Sequence, residues 1–323
     1  MTKLGVAFTG ELSAQQTMKL AKIAEEKNFY SIWHAEHFLL RDALSMLTAI
    51  AATTSRIKIA TGVISPYTRN LALLAMAIAT LNEISTGRFL LGIGTNARFW
   101  KMLGINDKSP IKTLADSVTL LRQLLSDQRV TYESPFIRIH DAKLGFQNKA
   151  TIPIYIGALR PKLLEMAGKI GDGVVLSAGS SAKYVKYAVE KAKAGLSKST
   201  RNVKEFDYAS FIISWLADEP ATEARVKEWI AAFLSVPGRE VMLGNKELYK
   251  DELEVMRKFY WSGDLKRAGE NTPRDLVDLL TISGDERTLH ARLEEYYTAG
   301  LTHAVILPIG SKPERLIEAF AKG

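Results

Sequence analysis

Two histidines, His34 and His37, bracket Glu36 in the run His34-Ala35-Glu36-His37. Imidazole and carboxylate at that spacing can ligate a metal, move a proton or hold the edge of a ring. A metal needs more than this run offers. It supplies no fourth ligand, and no His-Glu-x-x-His pattern occurs, so no metal is expected. A polar loop that touches a ring or a substrate is the better reading. His140, His290 and His303 fall in an extension, a helical pattern and a strand, and read as structural.

Gly92-Ile93-Gly94-Thr95-Asn96-Ala97 matches G-x-G-x-x-A after a strand. A dinucleotide fingerprint also needs an acidic residue at the end of the next strand. Asp116 has the distance but sits in a helical pattern. The glycines then serve the approach of a planar cofactor, or a tight loop. Gly157, Ala158, Leu159 and Arg160 lead into a helix opened by Pro161, and Ala178, Gly179 and Ser180 lead into the next one. Free N–H groups at helix N-termini attract anions, and two such loops in succession suit a phosphate, with Arg160 adding a charged donor. Two ordinary solvated loops are the alternative. There is no nucleophilic serine elbow, no Walker loop and no cysteine, which excludes thiol chemistry, disulfides and Cys-ligated metals. A chain without reactive groups of its own, but with a phosphate-friendly mouth, lets a cofactor carry the chemistry.

The elements that must position these groups alternate. Leu4–Phe8 reads as a strand, and Ser13 with Gln16 as the capping box of the helix after it. Strands follow at Tyr30–Trp33, Ile57–Ile64, Arg88–Ile93, Pro153–Ile156, Gly173–Leu176, Tyr208–Trp215 and His303–Leu307, with helical patterns between them. Asp42 and Asn70 cap two of the helices, and residues 129–139 read as a short hairpin. Eight such units without a break predict a single α/β domain over 1–323, a (β/α)8 TIM barrel, rather than an open doubly wound sheet. Residues 218–281 carry helical patterns without strands and read as a helical insertion after the seventh strand. In a barrel the functional groups lie in the loops after the strands, where all the residues above fall.

The chain has 323 residues, 47% apolar and 24% charged, enough for a large core. Its net charge of +8 is scattered among acids, so no nucleic-acid partner is expected. The most apolar stretch, Leu71–Leu81, is about half a membrane span, and the N-terminus runs straight into a strand. No membrane partner, no leader and a cytoplasmic location are the expectations.

Taken together, the strand-end segments resemble the F420-dependent branch of the luciferase-like superfamily, methylenetetrahydromethanopterin reductases in particular. The resemblance rests on ATGVISPYTRN (Ala60–Asn70), the following ALLAMAIATLNEISTGRFLLGIG (Ala72–Gly94), PIYIGALRPK (Pro153–Lys162), TISGDERTL and AGLTHAVILPIG. It implies a flavin or deazaflavin ring resting on a bulge after the third strand, at Gly62, Val63 and Ser65, with a non-proline cis peptide at Gly62–Val63. It implies a phosphate on Gly157–Arg160 and Ala178–Ser180. His37, Glu36 and Asn96 then stand where relatives place ring-facing and acid–base groups.

Three departures follow from the same resemblance. Ala7 stands in place of a first-strand glutamate, Asn96 in place of an aspartate and Arg160 in place of a glycine, while Glu11 lies further along. Neither Ala7 nor Asn96 can do acid–base work. The expected function is hydride transfer between coenzyme F420 and a small organic substrate by a homo-oligomer, a dimer or larger. An FMN-dependent monooxygenase and a non-catalytic flavin-binding barrel are the alternatives.

Overall fold

The computed structural model describes residues 2–200 and 205–321. From the N-terminus the elements are β1 (Lys3–Phe8), α1 (Ala14–Glu26), β2 (Ser31–His34), α2 (Ala43–Thr53), β3 (Lys58–Thr61), α3 (Leu71–Ile84) and β4 (Phe89–Ile93). A short α4 (Trp100–Leu103) and a long α5 (Pro110–Leu125) lead to a hairpin, β5 (Val130–Glu133) and β6 (Arg138–Ala142). Then come β7 (Ile154–Gly157), α6 (Pro161–Ile170), β8 (Gly173–Leu176), α7 (Ala182–Leu196) and β9 (Asp207–Leu216). Four helices follow without a strand among the described residues: α8 (Pro220–Leu234), α9 (Lys250–Trp261), α10 (Leu265–Glu270) and α11 (Arg274–Leu280). The chain finishes with β10 (Thr281–Gly284), α12 (Glu286–Thr298), β11 (His303–Pro308) and α13 (Pro313–Ala321).

The hydrogen-bonded strand order is β10-β9-β11-β1-β2-β3-β4-β7-β8, with a further pairing of β8 with β9. Each strand pair with a recorded register is parallel except the separate β5–β6 hairpin. This is the strand order of a (β/α)8 barrel with a helical insertion after the seventh barrel strand. One strand is additional to the expected eight. β10 lies parallel to β9, with Thr281 opposite Ile213 and Gly284 opposite Leu216. At four residues it is too short to show a period of its own in the sequence.

The chain divides into two compact units, one holding Leu176–Glu190 and the chain from Tyr208 onward, the other Ala7–Val175 and the described part of Lys191–Asp207. In the first, Trp215, Tyr184 and Tyr296 are fully buried. In the second, β-branched and aromatic residues of the strands (Ile32, Trp33, Ile59, Phe89) pack with Leu47, Ile50, Leu74 and Ile78 of α2 and α3. These strands are apolar on consecutive residues because both faces are covered. The caps follow the sequence pattern. Ser13 and Gln16 form a capping box, Asp42 accepts from Ser45 N–H at 2.8 Å, and Asn70 accepts from Ala72 and Leu73.

Candidate active site

The third strand stops early for a visible reason. Trp33 and His34 of β2 pair with Ala60 and Thr61 of β3, and then the chain bulges. The Gly62–Val63 peptide is cis. Gly62 N–H still bonds to His34 O at 2.9 Å, but toward β4 it is the Thr61 hydroxyl that replaces the backbone. Thr61 Oγ1 donates to Gly92 O at 2.8 Å and accepts from Gly92 N–H at 2.9 Å. Pairing resumes at Ile64, whose N–H bonds to Gly92 O and whose carbonyl accepts from Gly94 N–H, both at 2.9 Å. The expected strand Ile57–Ile64 is thus only four residues of strand and then a bulge.

This geometry accounts for the glycines after β4 and β7. A Cβ on Gly92 would lie 1.9 Å from Thr61 O, one on Gly94 would lie 2.9 Å from Val63 Cγ2, and one on Gly157 would lie 3.3 Å from both Val63 methyls. The close approach that demands them is that of the neighbouring strand, where the sequence suggested a cofactor or a tight loop. Gly62 and Val63 are themselves half-exposed, while Ser65 is buried. The Ser65 hydroxyl donates to Thr95 O at 3.1 Å and accepts from Tyr67 N–H at 3.3 Å, tying the β3–α3 loop to the loop after β4.

Beside the bulge a rim cavity of about 310 Å³ gathers Glu36, His37 and Asn96. Its wall also holds Phe38, Arg69 and Phe99, and Gly62, Val63 and Ser65 do not line it. Asn96 reaches its place through a left-handed backbone (φ +47°), which asparagine tolerates, and its Nδ2 donates to Glu36 O at 3.2 Å. Arg69 Nε donates to Glu36 Oε1 at 2.7 Å, and its Nη2 bonds to both Glu36 Oε1 and Asp42 Oδ2. Glu36 Oε2 is buried without a partner. The His37 ring lies 6.5 Å from that of Phe99, and Phe38 lies 6.0 Å from it on a tilted plane. His34 is fully buried, with Nδ1 3.0 Å from Ala35 O and Nε2 unpartnered. Burial holds its pKa below the ordinary 6.5, against the pull of the Ala35 carbonyl and the Asp42 charge.

Arg69 and Asp42 are the functional neighbours that sequence reasoning missed. Arg69 meets Glu36 from 33 positions away in the chain, and Asp42 meets Arg69 from 27. The Arg69 of the Tyr67-Thr68-Arg69 run was visible, but no local spacing pairs it with Glu36. No group of three metal-binding side chains occurs among the described residues, and no described helix is long and apolar enough to cross a membrane.

The two loops expected to hold an anion differ. Arg160 is exposed at the start of α6 and makes no side-chain cap bond, Leu159 and Gly157 are half-buried, and the buried Ala158 has its N–H on Val175 O at 3.1 Å. Ala178, Gly179 and Ser180 are buried. Gly179 has a positive φ of 79°, and a Cβ there would lie 3.7 Å from Phe233 and 3.9 Å from Met242. The Ser180 hydroxyl donates to Ser177 O at 2.8 Å, and Ser181 N–H bonds to Met242 O at 3.0 Å.

Known proteins share this architecture along the whole chain. The 5,10-methylenetetrahydromethanopterin reductase of Archaeoglobus fulgidus is 33% identical over 99% of this chain and 98% of its own length. An F420-dependent glucose-6-phosphate dehydrogenase of Kineococcus radiotolerans is 28% identical over 99% of this chain and 95% of its own. The solved coenzyme F420-dependent tetrahydromethanopterin reductase from Methanopyrus kandleri superposes with a TM-score of 0.87 at 25% identity, covering 99% of this chain and 97% of that one. The profile of the luciferase-like monooxygenase family matches residues 2–303, and this chain belongs to that family.

Proposed function

We propose that this chain is a coenzyme F420-dependent oxidoreductase that passes hydride between the deazaflavin and a carbon of a small organic substrate. The observation that carries this reading is the half-buried bulge at Gly62–Val63, where β3 breaks off before pairing resumes at Ile64, with side-chain-free Gly94 and Gly157 packed against Val63. The relatives that this chain matches from end to end, named as F420-dependent enzymes, support it further. The residues present fit a planar anionic cofactor. The bulge offers a support free of bulky side chains, and exposed Arg160 stands at the first turn of α6 for a phosphate.

When bound, F420 supplies or accepts the hydride. Gly62 and Val63 would hold the ring, with Ser65 fixing the loop behind them. Of the two loops expected to hold the phosphate, Gly157–Arg160 carries the exposed cation, and Ala178–Ser180 is buried. Asn96 fixes the Glu36 backbone, and His37 and Glu36, which line the rim cavity together with Arg41, Asp42 and Arg69, would meet the substrate. Ala7 and Asn96 carry no titratable proton, so acid–base work falls to His37 and Glu36. The loss of these two carboxylates supports a substrate different from that of the methylenetetrahydromethanopterin reductases, or a relaxed choice of substrate.

A fluorescence titration of the purified chain with F420 and, separately, FMN tests this. Tighter binding of F420 is the expected result. Preference for FMN would replace the reading with a flavin monooxygenase, and binding of neither would replace it with a non-catalytic barrel.

A further inference from the structure

One carboxylate oxygen in the wall of the rim cavity lacks a partner, and its surroundings define what it can accept. Glu36 gives Oε1 to two N–H groups of Arg69. Arg69 Nη2 also bonds to Asp42, which at the same time caps α2 through Ser45 N–H. The guanidinium therefore has a carboxylate on each side, and its charge is matched within the wall itself. The second cation, Arg41, turns Nη1 to the backbone carbonyls of Gly10 at 2.9 Å and Glu11 at 3.1 Å. Glu36 Oε2 remains, closed to solvent and without a hydrogen bond. A buried acceptor in that condition is unfavourable until a donor reaches it. The terminal torsion of a glutamate is soft, so a turn of the carboxylate, which moves both oxygens together, can bring one of them toward the cavity that Glu36 lines.

We propose that this cavity is a substrate subsite for a neutral group carrying an O–H or N–H donor, and that it discriminates against organic anions. Arg69 is a positioning residue that holds the Glu36 carboxylate in place. The wall's two carboxylates, Glu36 and Asp42, balance its two guanidiniums, Arg69 and Arg41, so an anion finds no surplus positive charge here and meets the Glu36 carboxylate, whereas a neutral donor can bond to it. Phe38, Phe99 and the His37 ring give the same cavity an aromatic side, so a flat donor-bearing group fits better than an aliphatic one. The cavity's role as a substrate subsite rests on the oxidoreductase reading, but its preference for a neutral donor does not.

The test uses the full chain without cofactor and two probes of one shape, benzamide and benzoate, titrated by ligand-observed NMR. The wild type is expected to bind benzamide about tenfold tighter than benzoate, the scale of one charged hydrogen bond gained against one repulsion. Glu36→Gln, which keeps the shape and removes the charge, brings the two within about threefold. Arg69→Met weakens benzamide binding because the Glu36 carboxylate loses its anchor, while benzoate stays excluded by the uncompensated Glu36 and Asp42, and Arg69→Lys restores part of the benzamide affinity, a pattern that a purely structural role would not produce. Equal or tighter binding of benzoate by the wild type overturns the proposal. So does the absence of benzamide binding, or an unchanged ratio in Glu36→Gln. A benzamide preference in a protein that binds no F420 would overturn the oxidoreductase reading and leave the cavity's preference standing.

Discussion

Within the unit that holds Ala7–Val175, the two ends of the strands treat their ionisable side chains in opposite ways, although Asn82 Oδ1 beside the Arg88 network is also buried without a partner. Ahead of β4, Arg88 is buried and makes five hydrogen bonds: to Ser85 O, Ile57 O, Ala51 O, Thr54 O and the Thr54 hydroxyl. It thereby ties the C-terminal ends of α2 and α3 to the start of β3. Nearby, Glu25 Oε1 accepts from the backbone N–H groups of Ser55, Arg56 and Ile57 at 2.8, 2.6 and 3.0 Å. Beyond the other ends of the same strands, His34 Nε2 and Glu36 Oε2 are buried with no partner. In a barrel the first end serves stability and the second function. A saturated polar network is rigid and finished, whereas an unsaturated one keeps hydrogen-bonding capacity for something that arrives.

Breaking the finished end has the largest expected effect. Arg88→Met leaves buried carbonyls of two helix C-termini without a donor, and we expect it to destabilise the fold by about 4 kcal/mol in urea unfolding. F420 affinity per folded molecule should stay at the wild-type value. Glu36→Gln at the mouth should do the reverse, changing stability by under about 1 kcal/mol while altering binding. A large loss of stability in Glu36→Gln, or a small one in Arg88→Met, would erase the contrast between the two ends.

Different parts of this contrast were legible to different degrees. The eight barrel strands stand out because each is an apolar run followed by a helical period, and Ser13, Asp42 and Asn70 announce the helix starts. Glu36, His37 and Asn96 could be placed at strand ends, and the structure brings those three into one cavity. The Arg69 bridge and the Arg88 network were not visible, since all their partners except Ser85 lie 27 to 37 positions away and no periodicity links them. Gly92 and Gly94 were seen as glycines that something must approach. That the approaching groups are Thr61 O and Val63 depends on a bulge whose register a sequence does not display.

The bulge gives an intermediate effect. Gly94→Ala places a methyl 2.9 Å from Val63 Cγ2, so Val63 or the strand must give way. Overpacking of this kind costs about 1–3 kcal/mol. The displaced group is one that we propose supports the ring, so F420 affinity should fall about tenfold, a loss of roughly 1.4 kcal/mol. Gly145→Ala is the control, because a Cβ there meets nothing within 4 Å and no positive φ is involved. If Gly94→Ala lowers stability but leaves F420 affinity equal to that of the control, the bulge does not support the ring.

The smallest effect separates the two ends by pH. Burial lowers the pKa of His34 below 6.5, outweighing the Ala35 carbonyl and the Asp42 charge. The unfolded chain therefore takes up this proton first, and stability falls as pH drops from 6.5 through the lowered folded value. Glu25 behaves differently. Burial pushes its pKa up, but the three backbone donors and the Arg56 charge together bring it below 4.5. Its contribution is present above 4.5 and is lost as pH falls through the depressed folded value. Wild-type melting temperature should thus begin to fall below pH 6.5, before any carboxylate of the saturated end is protonated. His34→Gln should hold its melting temperature level from pH 6.5 down to about 4.5, and then fall in parallel with the wild type as Glu25 and its like take up protons. If the His34→Gln profile shows the same early decline, the buried His34 is not its source, and the two ends do not differ in how they answer acid.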